Sequence, residues 1–333
     1  MNILIVRLGA LGDVVHTIPA AAALRAAYPD AQIDWLVDAK HRAIVDLVTA
    51  IDAVVALEHP TLAGWSAVIQ ASRRRRYDVA IDLQGLLKSA LLARASGARR
   101  VIGFSIWHLR EKTARPFYSD AHDAEGGHVI AKNLRLLRAL GVDDPAIRFP
   151  LADPPSPALD YLRQRLGPRP FGLINAGAAW PNKRWPAERF GQLAAFLRDA
   201  CGLVPVILWG PGEESLAAQV TASASGTAME APRTTVADLV ALSRAASVVI
   251  SGDTGPLHIA TAVGTPTVSL FGPTDPQRNG PFDAADVVVS RYDVCGCHYD
   301  RACHQAEWCL GGAHLAEVCA AVRRRLAARS ARG

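Results

Sequence analysis

The sequence has no run of apolar residues approaching the roughly 20 that a membrane-spanning helix requires, although half of its 333 residues are hydrophobic. It also has no signal-peptide pattern, because a strand-like run begins directly after Met1. A chain of this length can bury a sizeable core and is typical of about two domains. We therefore expect a globular protein located in the cytoplasm.

A strong excess of charge is also missing. The net charge of +5 and the isoelectric point near 9.0 are too modest to indicate a nucleic-acid partner, but they suit an anionic ligand or an acidic membrane surface. The densest basic stretch, Arg73 to Arg76, is typical of a solvated helix end, with contact to anionic lipid headgroups as the alternative. The last stretch, from Leu315, predicts an amphipathic helix whose basic face is solvated or membrane-facing.

Cysteine is scarce outside the last quarter of the chain, where five of the six cysteines fall. Disulfides are not expected in the cytoplasm. Cys295 and Cys297 form a C-x-C pair near two histidines, so a zinc site over Cys295–Cys309 is one hypothesis, although structural zinc sites usually take C-x2-C pairs. We interpret the cluster as reduced thiols that pack a local loop, and we predict no metal in the functional site.

Strand-length apolar runs alternate with alanine- and leucine-rich helical stretches along the chain. NILIVRL, QIDWLVD and YDVAIDL in the first half, and FGLINAG, VPVILWG and ASVVISGD in the second, indicate parallel strands buried on both faces. A proline-rich segment from Phe149 to Pro157 separates the two series. We predict an α/β protein with domains over residues 1–155 and 156–333, each with ligand-binding loops at the carboxyl ends of its strands.

The first glycine turn, RLGALGDVVHTIP, follows the apolar run ILIV. Its spacing matches neither the dinucleotide-binding fingerprint nor a P-loop, and the charge of Asp13 would repel a phosphate. Asp13 is therefore either a helix N-cap or a general base that faces the space between the domains and takes a proton from a substrate hydroxyl. In the second case Gly9 and Gly12 let that substrate approach the backbone.

A second glycine turn, SGDTGPLH, has the features of an anion site. The strand before it runs into Asp253, Thr254 and Gly255, and His258 lies early in the helix that follows. The first amides of a helix and its dipole favour a bound anion, so we expect a pyrophosphate here. A turn shaped by glycine and capped by aspartate is the alternative, but it leaves Thr254 and His258 unexplained.

Two further loops of the second half also follow strands. Lys183, with Arg184, is flanked by two tryptophans in WPNKRWP and would bring positive charge to a departing diphosphate. Trp209 and Glu214 lie in LWGPGEES, where a carboxylate could accept both hydroxyls of a ribose. The alternatives are a solvated lysine and an acidic pair at a helix N-terminus.

The stretch DLQGLLKSALLARASG of the first half carries a polar set that suits a polar, acidic acceptor. These residues are Asp82, Gln84, Lys88 and Arg94. His128, which precedes a helical stretch, is a further candidate, with a structural role as the alternative.

Taken in order, LIVRLGALGDVVHTIPA, YDVAIDLQGLLKSALLARASGA, KRWP, DTGPLHIA and FGPTDP resemble the heptosyltransferases of lipopolysaccharide core assembly, family 9 of the glycosyltransferases. The resemblance extends over almost the whole chain. It implies a GT-B fold, in which two Rossmann-like, doubly wound domains face each other across a cleft. Residues 1–155 would bind the acceptor, and residues 156–333 would bind the nucleotide sugar.

The resemblance also implies a reaction, an inverting transfer of L-glycero-D-manno-heptose from ADP-heptose to the Kdo–lipid A inner core without metal or cofactor. Asp13 would be the base and Lys183 would support the diphosphate. The donor would be held by Trp209, Glu214, Asp253, Thr254, Gly255 and His258, and the acceptor by Gly12, Gln84, Lys88 and Arg94.

The acceptor is open at this point, because DWLVD and DLQGLLKSA look like the first heptosyltransferase of the pathway, whereas a cysteine-rich segment before the last helix is more familiar in the second. The alternatives are a heptosyltransferase that adds a later heptose, another nucleotide-sugar enzyme of the same fold such as an epimerase, and a non-catalytic nucleotide-binding module. The expected partners are ADP-heptose, Kdo–lipid A and the anionic inner membrane, on whose inner face the protein would be peripheral.

Overall fold

The computed structural model describes residues 1–125 and 127–330, without the side chains of residues 329 and 330. The chain divides into two compact units, Met1–Ala152 and Asp153–Gly333. The division predicted between residues 155 and 156 lies in the same proline-rich segment.

The first unit is built on a parallel sheet of six strands. In chain order the strands are β1 (Asn2–Val6), β2 (Gln32–Asp38), β3 (Ala53–Leu57), β4 (Val79–Asp82), β5 (Arg100–Phe104) and β6 (Asp120–His122). Their order in the sheet is β3-β2-β1-β4-β5-β6. The helices are α1 (Leu11–Val15), α2 (Ile18–Ala27), α3 (Arg42–Val45), α4 (Leu62–Arg74), α5 (Leu87–Ala95) and α6 (Val129–Leu136).

The second unit repeats this plan. Its strands are β7 (Phe171–Asn175), β8 (Val204–Leu208), β9 (Met229–Glu230), β10 (Val248–Gly252), β11 (Thr267–Phe271) and β12 (Val287–Ser290), in the order β12-β11-β10-β7-β8-β9. Its helices are α7 (Pro157–Leu166), α8 (Ala187–Cys201), α9 (Glu214–Ser223), α10 (Val236–Ala245), α11 (Gly255–Ala262), α12 (Pro276–Asn279) and α13 (Leu315–Ser330).

In both units the first strand lies between the second and the fourth strand of that unit. The direction of winding therefore reverses between β1 and β4, and again between β7 and β10. Loops diverge at such a point, and doubly wound sheets bind their ligands in the crevice that opens at its carboxyl end. The α/β class and the doubly wound sheets predicted from the sequence are confirmed.

The central strands are apolar on both faces because helices cover both sides of each sheet. Residues 3–6 of β1 have no accessible surface, and neither have Leu173 and Ile174 of β7. Trp35, fully buried in β2, donates its indole hydrogen to the carbonyl of Arg7 (3.2 Å). This contact ties the first turn of the chain to the neighbouring strand.

The proline-rich segment predicted as a linker leads directly into the second unit. Ser156 caps α7, accepting from the amide of Leu159 (3.0 Å), and Pro157 occupies the first turn, where it removes no helical hydrogen bond. The Ser156 hydroxyl also donates to Asp238 of α10 (2.6 Å). Thus, the last residues of the segment are anchored in the packed second unit.

The predicted terminal helix is present as α13, and it packs through Val318 and Val322, which are fully buried. One of its arginines, Arg325, is also buried and donates to Asp286 (2.6 Å). The helix therefore does not present all of its basic residues to solvent. Among the residues described, no helix is both long and apolar enough to cross a membrane.

Gly191 provides a test of the packing between α8 and α9. A Cβ at this position would lie 2.5 Å from the Cβ of Ser223 and 2.6 Å from its carbonyl carbon. Alanine normally favours a helix interior over glycine by about 1 kcal/mol, but the overpacking costs about 1–3 kcal/mol. We expect Gly191→Ala to lower the free energy of unfolding, measured by urea denaturation. Gln192→Ala, at the exposed neighbouring position, is the control and should change the free energy of unfolding by less than about 0.5 kcal/mol. A Gly191→Ala variant more stable than wild type would contradict the close packing of α8 against α9.

Candidate active site

A buried carboxylate organises the carboxyl edge of the second sheet. Asp253 follows β10 directly, and its side chain is 5% exposed. Lys183, from the loop after β7, donates to Oδ2 of Asp253 (2.6 Å), as does the hydroxyl of Thr274, from the loop after β11 (2.7 Å). Nε2 of His258 in α11 lies 3.1 Å from Oδ1. The loops after three adjacent strands therefore converge on one side chain.

The ionisation of Asp253 follows from these neighbours. Burial is the largest single influence on its pKa and would raise it. The hydrogen bond and charge of His258, followed by the charge and hydrogen bond of Lys183, outweigh burial and hold the pKa of Asp253 well below its usual range. The carboxylate is therefore charged at neutral pH and fixes the Lys183 ammonium beside it.

Among the described residues, the start of α11 has no side-chain cap from its N-cap residue. Thr254 is the N-cap residue by backbone position, but within the described part of the chain its side chain makes no capping hydrogen bond. Its hydroxyl accepts instead from the side-chain amide of Asn175 (3.0 Å) and lies 3.0 Å from the hydroxyl of Ser251. The backbone amides that open α11 at Gly255 are therefore not capped by Thr254. The Lys183 ammonium lies 3.3 Å from the carbonyl oxygen of Asp253, one residue before Thr254.

Lys183 and Arg184, in the loop before α8, make different contacts. The Lys183 ammonium lies 4.5 Å from the ring centre of Trp180, a cation–π distance. A Cβ on Gly252 would lie 2.9 Å from the Lys183 carbonyl, so a side chain there would push the loop away from β10. Arg184 donates to the carbonyl of Ala178 (2.9 Å) and stabilises the loop internally.

The two glutamates at the start of α9 differ in their surroundings. Glu214 is exposed at the first position of the helix, whereas Glu213 turns inward and accepts from the amide of Gly210 (2.9 Å). A Cβ on Gly177 would lie 2.1 Å from the Glu213 carboxylate, so glycine is what lets the two loops meet. Glu213 is thus the carboxylate that reaches the loop after β7. The indole N–H of Trp209 donates to the carbonyl of Ala231 (2.8 Å), a hydrogen bond within the protein.

Asp13 lies on the carboxyl edge of the first sheet, in α1. The N-cap residue of that helix is Ala10, so the interpretation of Asp13 as the cap is wrong. The chain turns into the helix earlier than the glycine spacing indicates, which places Asp13 in the first turn. Arg7, which is 4% exposed, lies 2.8 Å from its Oδ1, and Arg110 lies 3.9 Å from its Oδ2.

The predicted acceptor residues of α5 divide between the two ends of that helix. Lys88, in its first turn, lies 3.2 Å from Asp38, at the end of β2. Arg94 is exposed in its last turn, about 9 Å further along the axis and toward the amino edge of the sheet. The structure therefore brings Lys88, but not Arg94, to the edge that carries Asp13.

Asp82 and Gln84 support this edge from inside. Asp82, fully buried, accepts from the hydroxyls of Tyr118 (2.7 Å) and Ser89 (2.8 Å) and from the amide of Gln84 (2.9 Å). Burial raises the pKa of Asp82 despite these hydrogen bonds. Gln84 in turn accepts from the amide of Leu8 (2.7 Å). Both side chains therefore shape the opening turn.

The remaining predicted positions also have internal contacts. The carbonyl of Gly12 accepts from the amide of His16 inside α1 (2.9 Å). A Cβ on Gly9 would lie 2.7 Å from Nε2 of His41, so the close approach there is to a side chain of this protein. His128 caps α6 by accepting from the amide of Ile130 (3.2 Å), in agreement with the structural alternative.

The cysteines are free thiols. Cys297 lies 3.5 Å from Cys303, sulfur to sulfur, and Cys295 and Cys297 are buried. Among the residues that the structure describes, no three histidine, cysteine or acidic side chains are grouped to hold a metal ion. The contacts are those of thiols packing a loop.

Solved structures share the architecture. The E. coli heptosyltransferase WaaC with ADP has a TM-score of 0.75 at 24% identity and covers 90% of this chain and 97% of that chain. A family 9 glycosyltransferase from Veillonella parvula has a TM-score of 0.85 at 23% identity, covering 98% and 97%. The fold is therefore that of the GT-B glycosyltransferases, with two Rossmann-like domains.

The sequence relatives narrow this class. Residues 65–308 match the family described as glycosyltransferase family 9 (heptosyltransferase). Lipopolysaccharide heptosyltransferase 1 of Pseudomonas aeruginosa is 30% identical, covering 91% of this chain and 87% of that protein, and its namesake from Salmonella typhimurium is 31% identical, covering 85% and 92%. The chain belongs to glycosyltransferase family 9. It is a glycosyltransferase, which rules out the epimerase and the non-catalytic module.

The charge on Asp253 provides a test by pH. Because its folded pKa is depressed, Asp253 stabilises the fold fully above the ordinary carboxyl pKa of about 3.9 and progressively less as the pH falls toward the folded value. We expect Asp253→Asn to cost about 3 kcal/mol near neutral pH, since it leaves Lys183 without its charged partner. This cost should shrink below about pH 4.

Urea unfolding followed by tryptophan fluorescence at several pH values measures this difference. Asp160→Asn, at an exposed position of α7, is the matched control and should change stability by less than about 0.5 kcal/mol. A cost for Asp253→Asn that grew as the pH fell would contradict the charge assigned to Asp253.

Proposed function

We propose that this protein transfers L-glycero-D-manno-heptose from ADP-heptose to the Kdo–lipid A inner core of lipopolysaccharide, with inversion at the anomeric carbon. The observation that carries the proposal is the Asp253, Lys183 and His258 cluster beside the start of α11, because it places fixed positive charge and helix amides together, as a diphosphate requires. Two solved relatives support the donor, WaaC with ADP and WaaC with ADP-2-deoxy-2-fluoro heptose.

Lys183 has the donors that this role needs. An ammonium group has three N–H donors, and two of them are directed here to Oδ2 of Asp253 at 2.6 Å and to its carbonyl at 3.3 Å. A third donor can reach a phosphate oxygen without breaking either bond. Because Asp253 holds the ammonium before the donor arrives, little reorganisation is needed when negative charge develops on the leaving ADP.

On the acceptor side, Asp13 is the proposed base. As the acceptor hydroxyl attacks the anomeric carbon, its proton passes to the Asp13 carboxylate, the glycosidic bond forms and the bond to the ADP oxygen breaks. The attack comes from the face opposite to ADP, so one displacement inverts the configuration. The charge that leaves with ADP is taken up by Lys183 and the amides of α11, so the step is complete without a metal.

The acceptor that we propose is the one that receives the first heptose. Several relatives are described as lipopolysaccharide heptosyltransferase 1. Another, from E. coli, is described as lipopolysaccharide heptosyltransferase 3 and is 30% identical over 79% of this chain, which keeps a later heptose as the second candidate. Because either acceptor is anchored in lipid, we also propose that the protein works peripherally at the cytoplasmic face of the inner membrane.

The decisive experiment measures ADP release from ADP-heptose with Kdo–lipid A and, separately, with an already heptosylated acceptor. We expect turnover with the first, and loss of about three orders of magnitude in kcat for Asp13→Asn, because the base is removed while the shape is kept. Asp46→Asn, exposed on the same unit, is the control. If neither acceptor supports release of ADP, the proposed reaction is refuted. A fully active Asp13→Asn variant would refute the assignment of Asp13 as the base.

Variants of Glu213 and Glu214 test which of these two carboxylates contacts the ribose of the donor. We expect Glu213→Gln to raise the KM for ADP-heptose about tenfold, since a carboxylate accepts two ribose hydroxyls better than an amide. Glu214→Gln, which removes an exposed charge from the next residue, should leave KM within about twofold. Initial rates at varied donor concentration give both values, and the opposite pattern would assign the ribose to Glu214.

A further inference from the structure

The large apolar side chains exposed on the first unit are unevenly distributed. Among its described residues, those at least 36% exposed are Met1, Leu62, Ile106 and Trp107. Met1 precedes β1 at the amino edge of the sheet. Leu62 is 92% exposed and opens α4 after β3, whereas Ile106 and Trp107, 40% and 80% exposed, follow β5. Three of the four therefore lie on the carboxyl edge, where Asp13 lies.

Sheet topology centres these side chains on Asp13. In the order β3-β2-β1-β4-β5, β1 is two strands from β3 and two strands from β5. With neighbouring strands about 4.8 Å apart, each apolar point lies about 10 Å to one side of the β1 loop. An apolar contact is thus available on both sides of the turn that carries the proposed base.

The loop that carries Trp107 is held in place by its other residues. Lys132 donates to the carbonyl of His108, and its ammonium lies 4.6 Å from the ring centre of Phe104. A Cβ on Gly85 would lie 3.1 Å from the side chain of Leu109, which shows how closely that leucine packs. The loop body is therefore fixed while Trp107 projects from it, so the backbone of the loop is already ordered before binding.

Lys112 is an exposed cation in the loop that carries Trp107. Arg110 is exposed as well but lies 3.9 Å from Asp13, and the intervening Glu111, also exposed, accepts from the amide of Leu87 (2.7 Å). On the other side of the loop, Asp123 accepts from the hydroxyl of Ser105. Tryptophan next to lysine and arginine is the combination that anchors proteins at the lipid–water interface. On the other side of Asp13, the exposed residues Glu58 and His59 precede Leu62, and the contact proposed there is the apolar side chain of Leu62.

The arginine cluster Arg73–Arg76 lies elsewhere. It ends α4 and precedes β4, which places it at the amino edge of the sheet. Arg73 donates to the carbonyl of Ala95 (2.9 Å), and Arg75 pairs with Asp34 (2.8 Å). A membrane bound to this cluster would lie at the end of the sheet opposite to Asp13.

We infer that the carboxyl edge of the first unit docks on an anionic bilayer through Trp107, Ile106 and Leu62, so that a lipid-anchored acceptor meets Asp13 directly at the membrane surface. The inference rests on the proposed function only for its acceptor. The docking itself is a property of the surface and can be measured without turnover.

The test is flotation of the full-length protein with vesicles of phosphatidylcholine containing about one-third phosphatidylglycerol, at low and high salt. We expect wild type to bind, Trp107→Ser and Leu62→Ser to bind about tenfold more weakly, and added salt to weaken wild-type binding. Tyr161→Ser, at an exposed apolar position of the second unit, is the matched control and should bind like wild type. Quenching of tryptophan fluorescence by brominated lipids should fall in Trp107→Leu, which keeps an apolar side chain.

Activity separates this inference from the proposed function. With an acceptor that lacks acyl chains, Trp107→Ser and Leu62→Ser should keep wild-type kcat and KM, and with vesicle-borne acceptor their KM should rise. Wild type that does not float, or variants that float like wild type, would overturn the docking surface. So would a raised KM of Trp107→Ser for the acyl-free acceptor with vesicle binding intact, because Trp107 would then be a sugar contact. Absence of turnover in wild type with any acceptor would instead refute the proposed function.

Discussion

The second unit depends on one buried charge. The Asp253 carboxylate holds together the loops that follow β7, β10 and β11, through Lys183, Thr274 and His258. A buried carboxylate is costly unless it is paired and fully hydrogen-bonded. The chain meets that requirement with side chains that follow all three strands, so the stability of Asp253 and the geometry of the proposed anion site have the same cause.

The first unit has an aspartate at the corresponding place, with the opposite electrostatics. Asp82 ends β4, the fourth strand of its unit, just as Asp253 follows β10, the fourth strand of the other. Asp82 is surrounded by neutral donors and burial raises its pKa, whereas His258 and Lys183 together outweigh burial and lower the pKa of Asp253. The same fold thus places a carboxylate at the same turn twice. Only in the second unit do its partners bring the positive charge that a diphosphate needs.

The features that were predictable from the sequence are those set by local pattern. Apolar runs between helical stretches indicated both sheets, and the turn at Asp253 was recognisable because a strand, a glycine turn and a helix start follow one another directly. Which of Glu213 and Glu214 turns inward depends on where α9 begins, and on Gly177, which lies in the loop after a different strand. Arg94 shares a polar stretch with Lys88, but helix length separates them. Neither fact is contained in the residues near the motif.

Arg7 bears directly on the role proposed for Asp13. It is buried, lies 2.8 Å from the Asp13 carboxylate and also donates to the carbonyl of Leu83. A sugar hydroxyl loses its proton while its oxygen is already bonding to the anomeric carbon, so the base must above all be correctly placed. Arg7 fixes the position of the Asp13 carboxylate, since the same guanidinium is anchored to the carbonyl of Leu83 directly after β4. The pairing is therefore consistent with Asp13 as the base, and it explains why an arginine with little solvent access directly follows the first strand.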